Sequence, residues 1–553
     1  MVLTVVGGDS ELQENIRSQL LLATLPCATP QWKVKRLFKR VEKDLQPPLR
    51  ALGYYRPIVS KTLALATTAC WRVELEVNPG VRTTIFRREI TISGEAADDP
   101  LLASLITELP LAESRPLHHG RYEALKQRLR DFAVERGYFD FRLNLHQLRV
   151  DPDAAQAEIV IHGESGPRYR FGELQLPPLP LDERFVIRLS GLESGSFYSA
   201  TGITTVDRNL SDSGYFQRVE LQPLREKSVA GQVPIVADLE MMPRHAWRFG
   251  LGYATDTRLR SSIRYENRYL NRRGERLQAE LRYSAVTSTL TTEYLFPGSD
   301  PLRRQFSLET TLNHEENDSA ESDNLSLTLV RRGKRGRWST REFVELLRER
   351  SSVAGERIDS SLLMPGLALA YRRVDSPLLT RRGLLLSLEA RGAAEGAGSD
   401  TSFFQLRSQG KTIFHLTPKV RLSARIDGGL TLGERVETLP ASLRFFAGGD
   451  NSVRGYPYKS LSPERSDGQQ IGGRHLLTLG FDYEISLPKS AWWLALFIDS
   501  GNAFDNDQFR WYTGYGPGVR WYSPLGRLRL DLAFPHERDR DEWRLHFGLG
   551  IDL

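Results

Sequence analysis

Arg454 is the residue whose surroundings point most directly to specific chemistry. It stands in segment 445–456 among apolar residues and the glycines Gly448, Gly449 and Gly455. Glycine permits the tight turns of a compact loop. A guanidinium confined in such a loop needs a carboxylate partner, because an unpaired buried charge is costly. The segment is therefore predicted to fold inward and hold Arg454 in an ion pair.

Two aspartates later in the chain are the candidate partners of Arg454. Asp499 lies in segment 497–502, which also contains Gly501, and Asp482 lies in segment 480–483. The alternative is that residues 499–502 form only a hairpin turn and that Arg454 is a surface cation. The residues alone leave both interpretations open.

No other pattern in the sequence predicts catalysis. There is no Gly-x-Ser-x-Gly motif, no P-loop, no His-Glu-x-x-His and no Cys-x-x-Cys. The ten histidines are scattered along the chain. We therefore predict that the protein is not an enzyme and uses no metal and no cofactor.

The two cysteines, Cys27 and Cys70, have two possible roles. They show no spacing typical of metal ligands. In an oxidising compartment they could form a disulfide. Otherwise they would be small, buried apolar side chains. The sequence does not decide between these roles.

Length and composition exclude several classes of protein. The chain has 553 residues, too many for one ordinary domain. Its mean hydropathy is −0.38, and no run approaches the 18 consecutive apolar residues that predict a membrane helix. The net charge is +6, but the basic residues are dispersed, so nucleic-acid binding is not predicted.

A repeated motif organises the first part of the chain. Gly-Tyr followed by an aromatic residue begins at positions 53, 137 and 214, at spacings of 84 and 77 residues. Each copy follows a helical pattern, and glycine is the expected end of a helix. The aromatic residue is then expected to begin a strand. The period predicts three small domains, covering residues 1–80, 81–166 and 167–243.

The first of these domains carries two further helix signals. Leu12, Ile16 and Leu20 recur at four-residue spacing, which predicts an early helix capped by Asp9 or Ser10. Consecutive prolines at positions 47 and 48 predict a kink in the next helix.

Residues 244–553 alternate between apolar and polar side chains. In the last segment Leu545, Phe547 and Leu549 alternate with Arg544 and His546. One apolar and one charged face fit a membrane β-barrel with a wet interior. A soluble β-sandwich of this length would need several separate cores. At about 19 residues per strand and turn, the region predicts about sixteen strands.

These patterns together resemble the outer-membrane assembly superfamily that contains BamA and TamA. The resemblance rests on Val453-Arg454-Gly455-Tyr456, on the strand motifs around Asp482 and Asp499, on segment 514–526 and on the three Gly-Tyr repeats. It implies α+β POTRA domains of β-α-α-β-β order. A transmembrane antiparallel β-barrel of about 16 strands would follow, with a long loop at about 433–473 folded into it. Three POTRA domains are most similar to TamA-type members.

The resemblance also implies roles for the motif residues. In the superfamily the arginine of the loop lies inside the barrel against acidic residues of the two strand motifs. Asp499 is the better candidate partner, because Asp482 stands where glutamate is more usual.

The resemblance further implies a lateral gate between the first and last strands. The last strand contains Gly548 and Gly550 and ends at Leu553, and glycine weakens and bends a strand. It is expected to pair poorly with the first strand, near Trp247 to Tyr253. Alternatively, the two glycines only exclude bulk near the contents of the lumen.

The function implied is assisted folding and insertion of outer-membrane proteins such as autotransporters. The protein would lie in the bacterial outer membrane, with its POTRA domains in the periplasm. Its partners would be unfolded outer-membrane proteins, outer-membrane lipid and a TamB-like protein anchored in the inner membrane. The alternatives are a polypeptide-export pore of the two-partner secretion type and a lipid-transport component of the envelope.

Overall fold

The computed structural model describes residues 2–65, 70–108, 111–375, 380–433, 435–466, 468–488, 490–505, 509–523, 526–536 and 543–550. Contacts divide the chain into two compact units. The first comprises Met1–Gln175, Leu192–Asp207 and Glu220–Ala237, and the second comprises Leu176–Gly191, Arg208–Val219 and Asp238–Leu553. None of the described helices is long and apolar enough to cross a membrane.

The first domain is a three-stranded sheet covered by helices. Its elements are β1 (Val2–Val6), α1 (Ser10–Gln19), α2 (Gln31–Asp44), α3 (Gln46–Ala51), β2 (Ile58–Leu65) and β3 (Trp71–Asn78). The strand order is β1–β3–β2, with β1 parallel and β2 antiparallel to the central β3. Alternate residues of β3 are buried because they face the helices.

The helix signals of this domain are confirmed. The side chain of Asp9 caps α1 by accepting a 2.8 Å hydrogen bond from the Leu12 N–H. The second helical segment is interrupted at Leu45, and Pro47 and Pro48 lie in the first turn of α3. Proline is tolerated there because first-turn N–H groups have no intrahelical acceptor.

Two further domains repeat this order. The second comprises β4 (Thr84–Ser93), α4 (Pro100–Thr107), α5 (His119–Arg136), β5 (Arg142–Asp151) and β6 (Gln156–Glu164). The third comprises β7 (Arg170–Gln175), α6 (Glu183–Ser190), α7 (Ala200–Ser211), β8 (Phe216–Pro223) and β9 (Gln232–Met241). Their strand orders are β4–β6–β5 and β7–β9–β8. The predicted β-α-α-β-β order is therefore present three times, with an added short helix in the first domain.

The glycines that follow the helices adopt the backbone expected of them. Their φ values are +89° at Gly53, +81° at Gly137 and +74° at Gly214. The aromatic residue begins a strand only in the third copy, where β8 starts at Phe216. In the first two copies that prediction is wrong, because β2 begins only at Ile58 and β5 only at Arg142.

Residues 245–550 form one antiparallel sheet of sixteen consecutive strands. The strands are β10 (His245–Ala254), β11 (Arg258–Asn267), β12 (Arg276–Tyr283), β13 (Thr287–Pro297), β14 (Arg304–Glu316), β15 (Ala320–Arg335), β16 (Trp338–Val353), β17 (Glu356–Val374), β18 (Gly383–Ala393), β19 (Phe403–Thr417), β20 (Val420–Gly433), β21 (His475–Ser486), β22 (Trp492–Phe504), β23 (Tyr512–Ser523), β24 (Gly526–Pro535) and β25 (Arg544–Gly550). The predicted number of strands is confirmed.

The two faces of this sheet differ as the alternation predicts. Phe249 and Leu251 on the outer face are 75% and 78% exposed. Arg421, Arg520 and Asp531 on the inner face are buried. Large apolar groups outside and ionised groups inside are the arrangement of a membrane barrel with a polar interior.

The first and last strands meet at a seam formed by β10 and β25. No backbone ladder joins these two strands in the described part of the chain. The rings of Tyr253 and Phe547 lie 6.2 Å apart, and the Phe547 N–H donates a 3.3 Å hydrogen bond to Thr255 Oγ1. Trp247 on β10 is exposed. Gly550 pairs with Arg527 of β24, and Leu553 lies outside the described residues.

Cys27 and Cys70 form a disulfide within the first domain, at a sequence separation of 43 residues. A cross-link over a loop of this size restricts the unfolded chain and stabilises the domain by about 2–4 kcal/mol. We expect Cys27→Ser with Cys70→Ser to lower hydrogen-exchange protection of β3 amides by roughly 30-fold or more. The β6 amides of the second domain serve as the internal control, and equal protection in both proteins would contradict the prediction.

Candidate functional site

The long loop between β20 and β21 is fixed to the inner face of the barrel. Early in the loop, Leu439 and Leu443 are buried against Leu347, Leu362, Met364 and Phe403 of the barrel strands. The Ser442 N–H donates a 3.1 Å hydrogen bond to the buried Glu349. This apolar and polar anchoring keeps the loop in the lumen.

The segment around Arg454 has a second apolar anchor. Ala447, Val453, Tyr456 and Leu461 form a buried cluster with Leu476 and Tyr512 packed against it. The Gly449 N–H donates a 3.1 Å hydrogen bond to the Tyr456 carbonyl and closes the turn between them. Gly449 and Gly455 have φ values of +100° and +96°, which favour glycine at both positions.

Arg454 is fully buried and surrounded by three aspartates. Its Nε and Nη2 atoms donate to the two oxygens of Asp499 at 2.5 and 2.9 Å. Its Nη1 atom donates to Asp482 at 3.0 Å and to Asp531 at 2.8 Å. The guanidinium also lies 3.7 Å from the ring centroid of Phe497. Bidentate pairing uses the fork geometry that only arginine has.

The barrel wall around Arg454 continues this ion-pair network. Arg520 contacts Asp531 and, at 3.0 Å, Asp482. Arg425 Nη2 lies 2.9 Å from Asp499, and Arg421 Nη1 lies 2.7 Å from Glu484. Among the described residues, the ion pairs of this network join four arginines and four carboxylates, namely Arg421, Arg425, Arg454, Arg520, Asp482, Glu484, Asp499 and Asp531. Because the charges of these eight residues balance, removing the loop arginine would leave an excess of negative charge among them.

The structure brings Arg454 together with both aspartates that the sequence singled out. The hairpin-turn alternative for residues 499–502 is wrong, because all four lie in β22. Gly501 continues that strand, where a Cβ atom would lie 2.2 Å from the Leu477 carbonyl oxygen. Asp531 and Arg520 were not predicted. Strand alternation places them on the inner face, but only the register of β21 to β24 shows that they meet.

Gly514 allows the loop backbone to approach the wall. It lies opposite Asp499 in the ladder between β22 and β23. A Cβ atom at this position would lie 1.6 Å from the carbonyl oxygen of Arg454. Because that neighbour is backbone, the contact cannot be relieved by a change of side-chain rotamer. The absence of a side chain at residue 514 is thus part of the site.

We expect Gly514→Ala to displace the Arg454 segment and lower the free energy of unfolding by about 1–3 kcal/mol, the usual cost of overpacking. Protease cleavage within residues 445–460 should become faster, measured by mass spectrometry on the folded protein. Gly252→Ala is the matched control, because a Cβ atom there meets nothing within 4 Å. Equal cleavage of both variants would contradict the prediction.

The loop also makes contacts on both sides of the seam. The Gly455 N–H donates a 3.0 Å hydrogen bond to His546 Nε2 on β25, and His546 Nδ1 contacts Asp450 of the loop. The Asp450 N–H donates to Asp256 Oδ2 at 2.5 Å, and Thr255 Oγ1 donates to Asp450 at 3.1 Å. Thr255 and Asp256 lie between β10 and β11. One loop segment therefore connects the turn after β10 to β25.

Asp256, Asp450 and His546 are the one group in the described residues close enough to hold a metal ion. Both ring nitrogens of His546 already take part in hydrogen bonds, with Gly455 and Asp450. We therefore interpret the three residues as a hydrogen-bonded connection. None of them was predicted, since their proximity depends on closure of the barrel.

The comparison with known families matches most of the chain. The profile described as "Omp85 superfamily domain" matches residues 242–553. The profile described as "POTRA domain TamA domain 1" matches residues 2–79.

Two curated relatives carry the name outer membrane protein assembly factor BamA. The protein from Nitratidesulfovibrio vulgaris is 22% identical over 397 residues, which are 66% of this chain and 49% of that protein. The protein from Neisseria meningitidis serogroup B is 28% identical over 217 residues, 32% of this chain and 27% of that protein. The chain thus spans about half the length of the first relative and about a quarter of the second.

A solved structure shares the fold. The crystal structure of BamA from Haemophilus ducreyi lacking POTRA domains 1–3 superposes with a TM-score of 0.71 at 14% identity. The superposition covers 85% of this chain and 99% of that structure. At this identity the likeness concerns the fold alone.

Proposed function

This chain belongs to the Omp85 superfamily, and from that membership we propose that it assists the folding and insertion of other β-barrel proteins. Its barrel lies in the bacterial outer membrane, and its POTRA domains lie in the periplasm. In this process a polypeptide moves from water into the membrane and its strands become hydrogen-bonded, and no covalent bond changes. No catalytic residue is therefore assigned.

The observation that carries the proposal is the seam and its connection to the loop. β10 and β25 lack a backbone ladder in the part that is described. Segment 450–455 contacts the turn after β10 through Thr255 and Asp256, and it contacts β25 through His546. The same segment is fixed to β21, β22 and β24 through Arg454. Movement of the loop would therefore remove these bridging contacts and leave the seam to the direct contacts of Phe547 with Tyr253 and Thr255.

A substrate strand can use the open seam as a template. Unpaired N–H and C=O groups on β10 and β25 would pair with an incoming strand by β-augmentation. Each pair formed there removes polar backbone from contact with lipid, where unsatisfied groups cost several kcal/mol. The substrate could thus enter the membrane one hairpin at a time.

We assign this protein more narrowly to the TamA type. The match of residues 2–79 to the profile described as "POTRA domain TamA domain 1" supports that assignment. On this assignment its substrates are autotransporter-type barrels and its partner is a TamB-like protein anchored in the inner membrane.

Insertion kinetics test the proposed function. An unfolded autotransporter barrel is mixed with liposomes that contain or lack this protein, and folding is followed by the shift in gel mobility without heating. We expect at least a tenfold faster insertion with the protein. Equal rates, with the protein folded and a TamB-like partner supplied, would contradict the proposal. Ion conductance would then favour an export pore, and transfer of labelled phospholipid would favour lipid transport.

A further inference from the structure

The second helix of the first domain presents a strongly basic face. α2 has the sequence QWKVKRLFKRVEKD, and its Val34 and Val41 are fully buried. These valines define the side that faces the domain core. The helix contains six exposed cations, which are Lys33, Lys35, Arg36, Lys39, Arg40 and Lys43.

Trp32 lies in the middle of these cations. It is 66% exposed. At 3.6 residues per turn it points about 180° away from Val41, and Lys39 and Lys43 lie within about 20° of its direction. An indole ring is amphipathic and favours the boundary between water and an apolar phase. Trp32, at the centre of the basic face, is therefore placed to insert at a negatively charged boundary between water and an apolar phase.

Most of this positive charge is not compensated within the domain. Arg40 lies 3.6 Å from Asp44, and Glu42 lies 2.8 Å from Lys61, so both acidic residues of α2 are engaged. Six cations and two carboxylates leave the helix a net charge of +4. Across the described residues, no ion pair with a carboxylate is formed by Lys33, Lys35, Arg36, Lys39 or Lys43.

The start of this helix is fixed to the sheet. Cys27 is bonded to Cys70, and the indole N–H of Trp71 donates a 3.1 Å hydrogen bond to the Thr29 carbonyl. Both contacts precede α2 by a few residues. Trp32 is thus presented on a rigid segment, which lowers the entropy lost on binding.

We propose that this face of α2 binds the surface of an anionic phospholipid bilayer. The cations span about 160° of a convex helix surface, which matches a plane of dispersed negative charge better than a protein pocket. Each cation near such a surface strengthens binding by about fivefold. The interfacial zone of the bilayer accommodates the ring of Trp32. The proposal concerns the first domain and does not depend on insertase activity.

Flotation with vesicles tests the proposal on the whole protein. The protein is held in phosphatidylcholine nanodiscs and mixed with separate vesicles of phosphatidylcholine, alone or with 30% phosphatidylglycerol. We expect binding to the phosphatidylglycerol vesicles only, weakening as NaCl is raised. Lys35→Gln with Lys39→Gln and Lys43→Gln should weaken it by roughly 100-fold, and Trp32→Ala by roughly tenfold.

The matched control removes the same charge from another helix. Arg121, Arg128 and Arg130 are exposed on α5 of the second domain, and their replacement by Gln should leave binding within about threefold of the original protein. Equal loss in both triple variants would mean that only net charge acts, and would overturn the proposal. Retention of a poly-glutamate peptide without any binding to phosphatidylglycerol vesicles would assign the face to a protein partner and would also overturn it.

Discussion

Replacement of Arg454 by Ala is expected to give a folded barrel that no longer accelerates substrate insertion. The variant leaves Asp482, Asp499 and Asp531 without the cation that neutralises them at the loop. Removing one partner of a buried ion pair costs about 3–5 kcal/mol. The apolar anchors at Leu439 and Leu443 remain, so the loop should detach only around residues 450–456. The insertion rate should fall to within about threefold of the rate without protein.

The variants Arg454→Lys and Arg454→Ala with Asp499→Asn separate charge from geometry. Lysine keeps the charge but cannot make the two parallel hydrogen bonds to Asp499, so its stability and activity should be intermediate. The double variant removes the uncompensated carboxylate and should recover part of the stability lost, but not the activity. Arg303→Ala is the control, because that side chain is 80% exposed. The role assigned to the loop would be wrong if Arg454→Ala inserted substrate at the original rate.

Much of the fold was predictable from the sequence because its signals are local. Helix ends follow from Asp9 and the Gly-Tyr repeats, and the faces of the barrel follow from alternation along each strand. The number of strands follows from the length of the region. None of these inferences requires knowledge of which strands are neighbours.

The site was predictable only where its residues share a motif. Arg454 and Asp499 stand in recognisable segments, and their contact needs only that the loop folds inward. The contact of Asp531 with Arg454 depends on the register of the strands, and the contacts of His546 with the loop depend on closure of the barrel. A shift of one residue in strand register would turn the Asp531 side chain to the other face of the sheet. The Cys27–Cys70 bond could not be predicted for the same reason. The spacing of the two cysteines in the sequence does not show that the turn at Cys27 lies beside the start of β3.

A reversible lock across the seam is expected to abolish assisted insertion. Tyr253 and Phe547 face each other across the gap, with ring centroids 6.2 Å apart. Cysteines at these positions, with Cys27→Ala and Cys70→Ala to remove the native thiols, should cross-link on oxidation. The oxidised protein should lose its acceleration by at least about tenfold, because a substrate strand cannot pair with β10 and β25 while they are joined. Reduction should restore the original rate.

A control cross-link elsewhere in the barrel tests whether the loss of insertion activity is specific to the seam. Leu281 and Leu290 lie directly opposite each other on β12 and β13, on the outer face. Cysteines at those positions join two strands already paired by a backbone ladder, so their oxidation should change the insertion rate by less than about twofold. Loss of activity in both pairs would indicate that the barrel must deform as a whole. Full activity of the oxidised 253–547 pair would show that substrates enter elsewhere, and the seam would then be a passive closure of the barrel.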